Sequence, residues 1–401
     1  MLAGPAKLTQ VAAILSLLTA ADWHIPRAQA QVESVQGESG SKQVDFSAEY
    51  VADTLSLLGE GSQEDLFFLD NLSLSLSADL SKYEQLEGVA ASLQLILNSG
   101  DAPNDVAGTL QGINNIEVVD QQLRLYELWL EKAWSGQSLR VGVYDLNSEF
   151  YVTESSGLLL APAFGIGSEL AATGPSGPSI FPLTSLAGRY KKEWQGDGYF
   201  QVAIVNAATG IFEQEGRSPL QFEDGVLAIA EAGFGGDVAW AAGVWRYSEQ
   251  QDRIAVPVAN PSDVKAISQG AYALIDLPVG FIELPGDLRF FARGGISDGD
   301  TTPFDGGWQT GVFLEDFLKS RPDGVFSFGI NQGHLSKAYR EAERIAGNVL
   351  DREELQFEIT YEDKIFPFLT IQPDLLLTTE PAGESSRDAL WAATLRLKLA
   401  Y

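Results

Sequence analysis

Trp391-Ala392-Ala393-Thr394-Leu395-Arg396-Leu397-Lys398-Leu399-Ala400-Tyr401 is the stretch whose reading decides the fold. Successive side chains of a strand point to opposite faces, so Trp391, Ala393, Leu395, Leu397, Leu399 and Tyr401 share one face, and Thr394, Arg396 and Lys398 share the other. One face suits lipid and the other suits water. The same division recurs upstream. Leu355, Phe357, Ile359 and Tyr361 alternate with Glu354, Gln356, Glu358, Thr360 and Glu362, and Leu288, Phe290 and Ala292 alternate with Arg289, Phe291 and Arg293. Leu369, Ile371, Leu375 and Leu377 oppose Thr370, Gln372, Asp374 and Thr378, while Leu139, Val141 and Val143 oppose Ser138, Arg140 and Tyr144.

About sixteen such segments of roughly ten residues follow residue 43, among them 44 to 53, 69 to 81, 117 to 132, 138 to 147 and 367 to 379. Alternation alone does not separate a soluble sandwich from a membrane barrel, because both have one apolar and one polar face. The connections do. Every second one is short, as at Ser135-Gly136, 195–198, 233–236, 284–287, 321–324 and 363–367, and the others are mostly longer. Short turns on one rim and long loops on the other predict an all-β transmembrane antiparallel barrel with extracellular loops and periplasmic turns.

Composition agrees with export. Lys7, the apolar run 8–21 and Ala28-Gln29-Ala30 have the order of a removable signal, so residues 1–30 are expected to be a signal peptide, 31–43 a periplasmic segment and 44–401 the barrel. No later run of 18 apolar residues can form a membrane-crossing helix. The chain contains no Cys, which excludes disulfides, thiolate metal sites and a thiol nucleophile. No metal or cofactor is expected. Fifty-five acidic residues against 26 basic ones give a formal charge of −29, which repels nucleic-acid phosphates.

The third long connection, 148–183, is rich in Gly and Pro and carries the apolar run Leu158, Leu159, Leu160, Ala161 and Phe164. An apolar run of this kind is out of place in a solvated loop, so the loop is expected to fold into the lumen and narrow it, with Leu159 and Phe164 as constriction residues. Ser336 and Gly347 bracket a short surface helix.

The stretch Glu353–Tyr401, with Glu358-Ile359-Thr360-Tyr361, Gln372-Pro373-Asp374-Leu375 and Glu380-Pro381-Ala382-Gly383, resembles the carbohydrate-selective porins of the OprB type. Upstream, Tyr126-Glu127-Leu128-Trp129-Leu130-Glu131, Leu139-Arg140-Val141-Gly142, Asp145-Leu146-Asn147-Ser148-Glu149-Phe150 and Pro178–Tyr190 resemble the same family in order and spacing. The resemblance implies a 16-stranded outer-membrane barrel with an inward third loop that passes monosaccharides and other small polar solutes. The chain departs from the family pattern at Leu376, where Gln is usual, at Glu380-Pro381-Ala382-Gly383, and in ending with Tyr401 in place of Phe.

A sugar pore needs hydrogen-bonding groups for hydroxyls beside aromatic surface for the ring faces. Strand parity turns Arg140, Arg289, Arg293, Glu358, Asp374, Arg396 and Lys398 inward with Tyr144 and Phe291 beside them, because a charge on the lipid face near the midplane costs ~2–4 kcal/mol. Glu127 and Trp129 join this pore-lining set, but the same parity sends Arg124 toward lipid. A bulge or a position at the rim resolves the conflict. Sugars, outer-membrane lipid and lipopolysaccharide are the expected partners, and monomer and homotrimer both stay open. A general non-selective porin is the alternative. An outer-membrane hydrolase would need a base, for which His334, near Asn331 and Ser336, is the sole histidine after the signal.

Overall fold

The computed structural model describes residues 44–58, 66–119, 121–194, 196–210, 221–255, 263–280 and 285–401. The expected signal 1–30 and the segment 31–43 lie outside the described residues. The strands are β1 Val44–Leu58, β2 Leu66–Asp79, β3 Val89–Gly100, β4 Leu123–Trp134, β5 Gln137–Tyr144, β6 Ser185–Glu193, β7 Gly198–Asn206 and β8 Val226–Phe234. They continue as β9 Ala239–Asp252, β10 Lys265–Pro278, β11 Asp287–Ser297, β12 Phe304–Glu315, β13 Val325–Leu335, β14 Glu353–Phe366, β15 Leu369–Thr379 and β16 Leu390–Ala400.

Each strand pairs antiparallel with its neighbours in sequence, and β1 pairs with β16 through Tyr50↔Leu399 and Asp53↔Arg396, which closes the barrel. Tyr401 extends the seam, donating its N–H to Ala48 O at 2.8 Å and accepting from Ala48 N–H at 3.0 Å. Closure leaves no unpaired sheet edge, as a hydrocarbon environment requires. Connections of 135–136, 194–197, 235–238 and 367–368 alternate with 101–122, 145–184, 207–225 and 336–352, so the short and long rims follow the expectation.

Some strand ends shift. The strand expected at 117 to 132 starts at Leu123, because 117–122 belongs to a loop that enters the barrel. The one expected at 138 to 147 stops at Tyr144, where Asp145 accepts the N–H of Asn147 and caps a helical turn at Leu146–Ser148. The predicted surface helix is Lys337–Ala346, capped by Ser336 at its start and closed by Gly347 at φ 102°.

The outward faces carry Leu72, Leu74 and Leu76 of β2, Leu128 and Leu130 of β4, Val244 of β9 and Leu395 and Leu397 of β16. Near the short-turn rim the rings pair up: Phe234 with Trp240 at 5.2 Å, Phe366 with Phe368 at 5.8 Å and Phe46 with Tyr401 at 6.4 Å. That ring belt matches the aromatic girdle of an outer-membrane barrel. Inside, two apolar clusters lie between the wall and the inward loops, one around Tyr151, Trp245 and Tyr272 and one around Leu159, Phe164 and Phe291. Wall glycines make room for them: a Cβ on Gly329 would stand 2.6 Å from both Leu159 and Phe164.

Candidate functional site

A loop inside a barrel buries backbone N–H and C=O groups that water no longer reaches, so the wall must supply partners. The inward charges do this for 145–184. Arg293 donates from Nη1 to Tyr151 O and Gly165 O and from Nη2 to Ala163 O, each at 2.9 Å. Glu358 accepts the N–H groups of Leu160 and, at 2.9 Å, Ala161, and Gln372 donates to Leu158 O at 2.7 Å. Glu231 accepts Tyr151 N–H at 2.9 Å and Asp276 accepts Ser155 N–H at 2.8 Å. Tyr151 also stacks on Tyr272 with centroids 4.0 Å apart, and Phe164 meets Phe291 edge-on at 6.3 Å. The third loop thus enters the lumen, with Leu159 and Phe164 buried against the wall.

A second loop enters as well, and sequence reasoning missed it. Glu354 accepts Leu110 N–H and Gln111 N–H at 2.9 Å each, and Gln356 donates to Gly112 O at 2.9 Å. The buried pair Arg396–Asp53, at 2.7 Å, reaches the same loop through Asn114, which donates to Asp53, and Asn115, which accepts from Arg396. The available signal was Ile113 and Ile116 within a Gly- and Asn-rich connection, the same clue that marked 158–164.

A bulge at Tyr126 settles the parity conflict of β4. Gln94 faces Glu127 but Leu95 faces Leu125, so Arg124, Glu127, Trp129 and Glu131 all point inward. Here β4–β6 form an ion network. The Arg140 guanidinium lies 4.0 Å over the Trp129 ring and donates to Glu131 at 2.9 Å. Arg189 donates to Glu131 and Glu149 at 2.6 Å each and to Ser138. Burial by itself would raise the Glu149 carboxyl, but Arg140 and Arg189 outweigh it and hold the group below its usual range. Glu131 shares the face of Glu127 and Trp129 in the sequence pattern, but Arg189 and Glu149 were not singled out from sequence; the adjacent Lys191 and Lys192 blur the parity of β6.

The register turns every predicted pore-lining residue on a strand inward, yet Glu127, Trp129, Arg140, Tyr144, Phe291, Arg293, Glu358, Asp374 and Arg396 are buried under loops or neighbours, and Arg289 keeps more solvent contact than the rest. Water instead meets a different sector of the inner face. Ser73, Ser75 and Ser77 of β2, Ser92 and Gln94 of β3 and Ser47 of β1 are half-buried or exposed. They share one face through the pairs Ser47↔Ser75, Ser75↔Gln94 and Ser77↔Ser92. Nearby, Lys398 pairs with Glu362. His334 points outward at the rim, its Nδ1 against Asp305, while Ser336 is committed to capping its helix.

The sequence profile described as carbohydrate-selective porin, OprB family, matches residues 63–401. The fold is similar to the high-pH structure of Pseudomonas putida OprB, with 17% identity, 90% of this chain and 94% of that chain covered and a TM-score of 0.80. An anion-selective porin from Comamonas acidovorans is similar at 10% identity, covering 89% and 99%, with a TM-score of 0.52. The outer-membrane channel DcaP of Acinetobacter baumannii gives 10%, 89%, 97% and 0.55. No curated protein matches the chain in sequence.

Proposed function

The chain belongs to the carbohydrate-selective porin family OprB and is an outer-membrane carbohydrate channel, and from that premise we propose that it favours neutral sugars over anions because the arginines of its lumen are already compensated. One observation carries this reading: Arg140, Arg189, Arg289 and Arg396 each meet a carboxylate, and Arg293 is spent on loop carbonyls. A paired charge presents a weak field to a passing ion. The two inward loops narrow the lumen, and Leu159 and Phe164 act by filling space behind the loop surface, without touching solute.

Proteoliposome swelling with graded sugars and size-matched amino acids tests the reading. Monosaccharides are expected to enter faster than amino acids of equal size. Equal rates would reject selectivity and leave a general porin.

A further inference from the structure

The inner face of β2 is the part of the wall that the charge network leaves alone. From Asn71 through Ser73 and Ser75 to Ser77 it presents only neutral hydroxyl and amide groups, and the charged Asp79 follows at its short-turn end. Gln94 joins it, donating from Nε2 to Ser73 Oγ at 2.7 Å. A second, independent feature lies at the other end. Asn98 stands directly across from Asn71 on the same face, is 1% exposed, and neither its Nδ2 nor its Oδ1 meets a hydrogen-bonding partner among the described residues. Asn71 Oδ1 is unpartnered too, and the Val51, Leu69 and Ile116 cluster packs around this end. Buried amide ends without partners are destabilising, so they mark a place where a polar ligand gains more than it would from water-exposed groups.

We propose that Asn71, Ser73, Ser75, Ser77, Gln94 and Asn98 form a binding track for neutral sugars, with the Asn71 and Asn98 amides at its tightest point. Inward positions along a strand repeat every ~6.8 Å and neighbouring strands lie ~4.8 Å apart, a lattice on the scale of one sugar ring. Each serine hydroxyl both donates and accepts, so a sugar exchanges one partner for the next without stripping water from a charge. Weak, repeated sites of this kind let a solute enter and also leave. Zwitterions gain less, since the charges beside the track, Asp45 across from Ser77 and Glu49 across from Ser73, are both carboxylates and repel the carboxylate end of such a solute.

This inference rests on the sugar-passing reading above, and the experiment separates the two. Current block by glucose and by glutamine is measured in planar bilayers for the wild-type protein, for the triple variant Ser73→Ala, Ser75→Ala, Ser77→Ala, and for Asn98→Leu. Ser75→Ala alone serves if the triple variant does not assemble, as judged by heat-modifiable mobility. Glucose affinity is expected to fall about threefold to tenfold in the triple variant, the loss of one hydrogen bond's net worth, with glutamine block changing by less than about twofold on the same scale. Asn98→Leu is expected to weaken glucose block as well. Unchanged glucose block in the variants, or an equal loss for both solutes, overturns the track. A wild-type channel that glucose blocks no better than glutamine overturns the parent reading and the track together.

Discussion

Replacing Arg293 by Met should free the third loop and widen the channel. Arg293 is 4% exposed and makes three hydrogen bonds of 2.9 Å to loop carbonyls at Tyr151, Ala163 and Gly165, plus one of 3.0 Å to Gln309. A Met side chain fills similar volume but donates nothing, so three carbonyls lose a charged partner. Leaving a buried polar group unpaired costs ~1–3 kcal/mol each. Removing the guanidinium also removes its own desolvation penalty, which offsets part of the loss. A net of about 3 kcal/mol shifts loop docking roughly 150-fold toward release. The closed ladder of strand pairs keeps the barrel itself intact, and Glu358, Gln372, Glu231 and Asp276 still hold other parts of the loop, so the release is local. Single-channel conductance should rise and larger oligosaccharides should pass, while heat-modifiable mobility stays that of a folded barrel. Conductance and exclusion limit equal to wild type in a folded variant would refute the claim that this side chain clamps the constriction.

Two further outcomes follow from the same anchors. Glu354→Gln removes one of two acceptor oxygens that serve Leu110, Gln111 and Ala382 N–H groups; amide exchange across 101–122 should quicken by about tenfold, in line with ~1–3 kcal/mol for an unpaired buried donor, and unchanged exchange would dismiss Glu354 as the anchor. Burial, reinforced by Glu127, raises the Asp145 carboxyl at the base of the third loop to about 7, and burial raises Glu117 of the second loop to about 7. Both sit above the ordinary carboxylate value, so protonation favours the docked loops: their contribution is complete below about pH 4 and is lost as pH rises through about 7. Conductance should therefore fall on acidification from pH 8 to 5, and the double variant Asp145→Asn, Glu117→Gln should flatten that response. A rise on acidification, or a full response in the double variant, contradicts the assignment.

The period-two pattern exposed the barrel because lipid and water impose opposite demands on alternate side chains, and each strand pays that demand locally. Trp391 to Tyr401 shows it most plainly, and Leu72-Ser73-Leu74-Ser75-Leu76-Ser77 shows it just as well. The serine run was legible as a strand, yet it drew no attention as a site because charge and aromatic rings were the features sought. The parity of Arg140, Arg293, Glu358 and Arg396 was readable for the same reason. Their partners were not, since Glu358 meets Leu160 and Ala161 across 198 and 197 positions of sequence and no local pattern encodes that distance.

By itself, then, the sequence determined which way each strand side chain faces, how many strands close the wall, which rim bears the long loops and that one of these loops turns inward. The tertiary structure alone decided that the loop 101–122 joins it, that a bulge at Tyr126 brings Arg124 inside, and that most inward charges are consumed in holding loop backbone. The physical reason is range. Facing is fixed by the geometry of neighbouring residues, whereas the satisfaction of a buried amide or charge depends on whichever distant segment closure of the barrel brings against it.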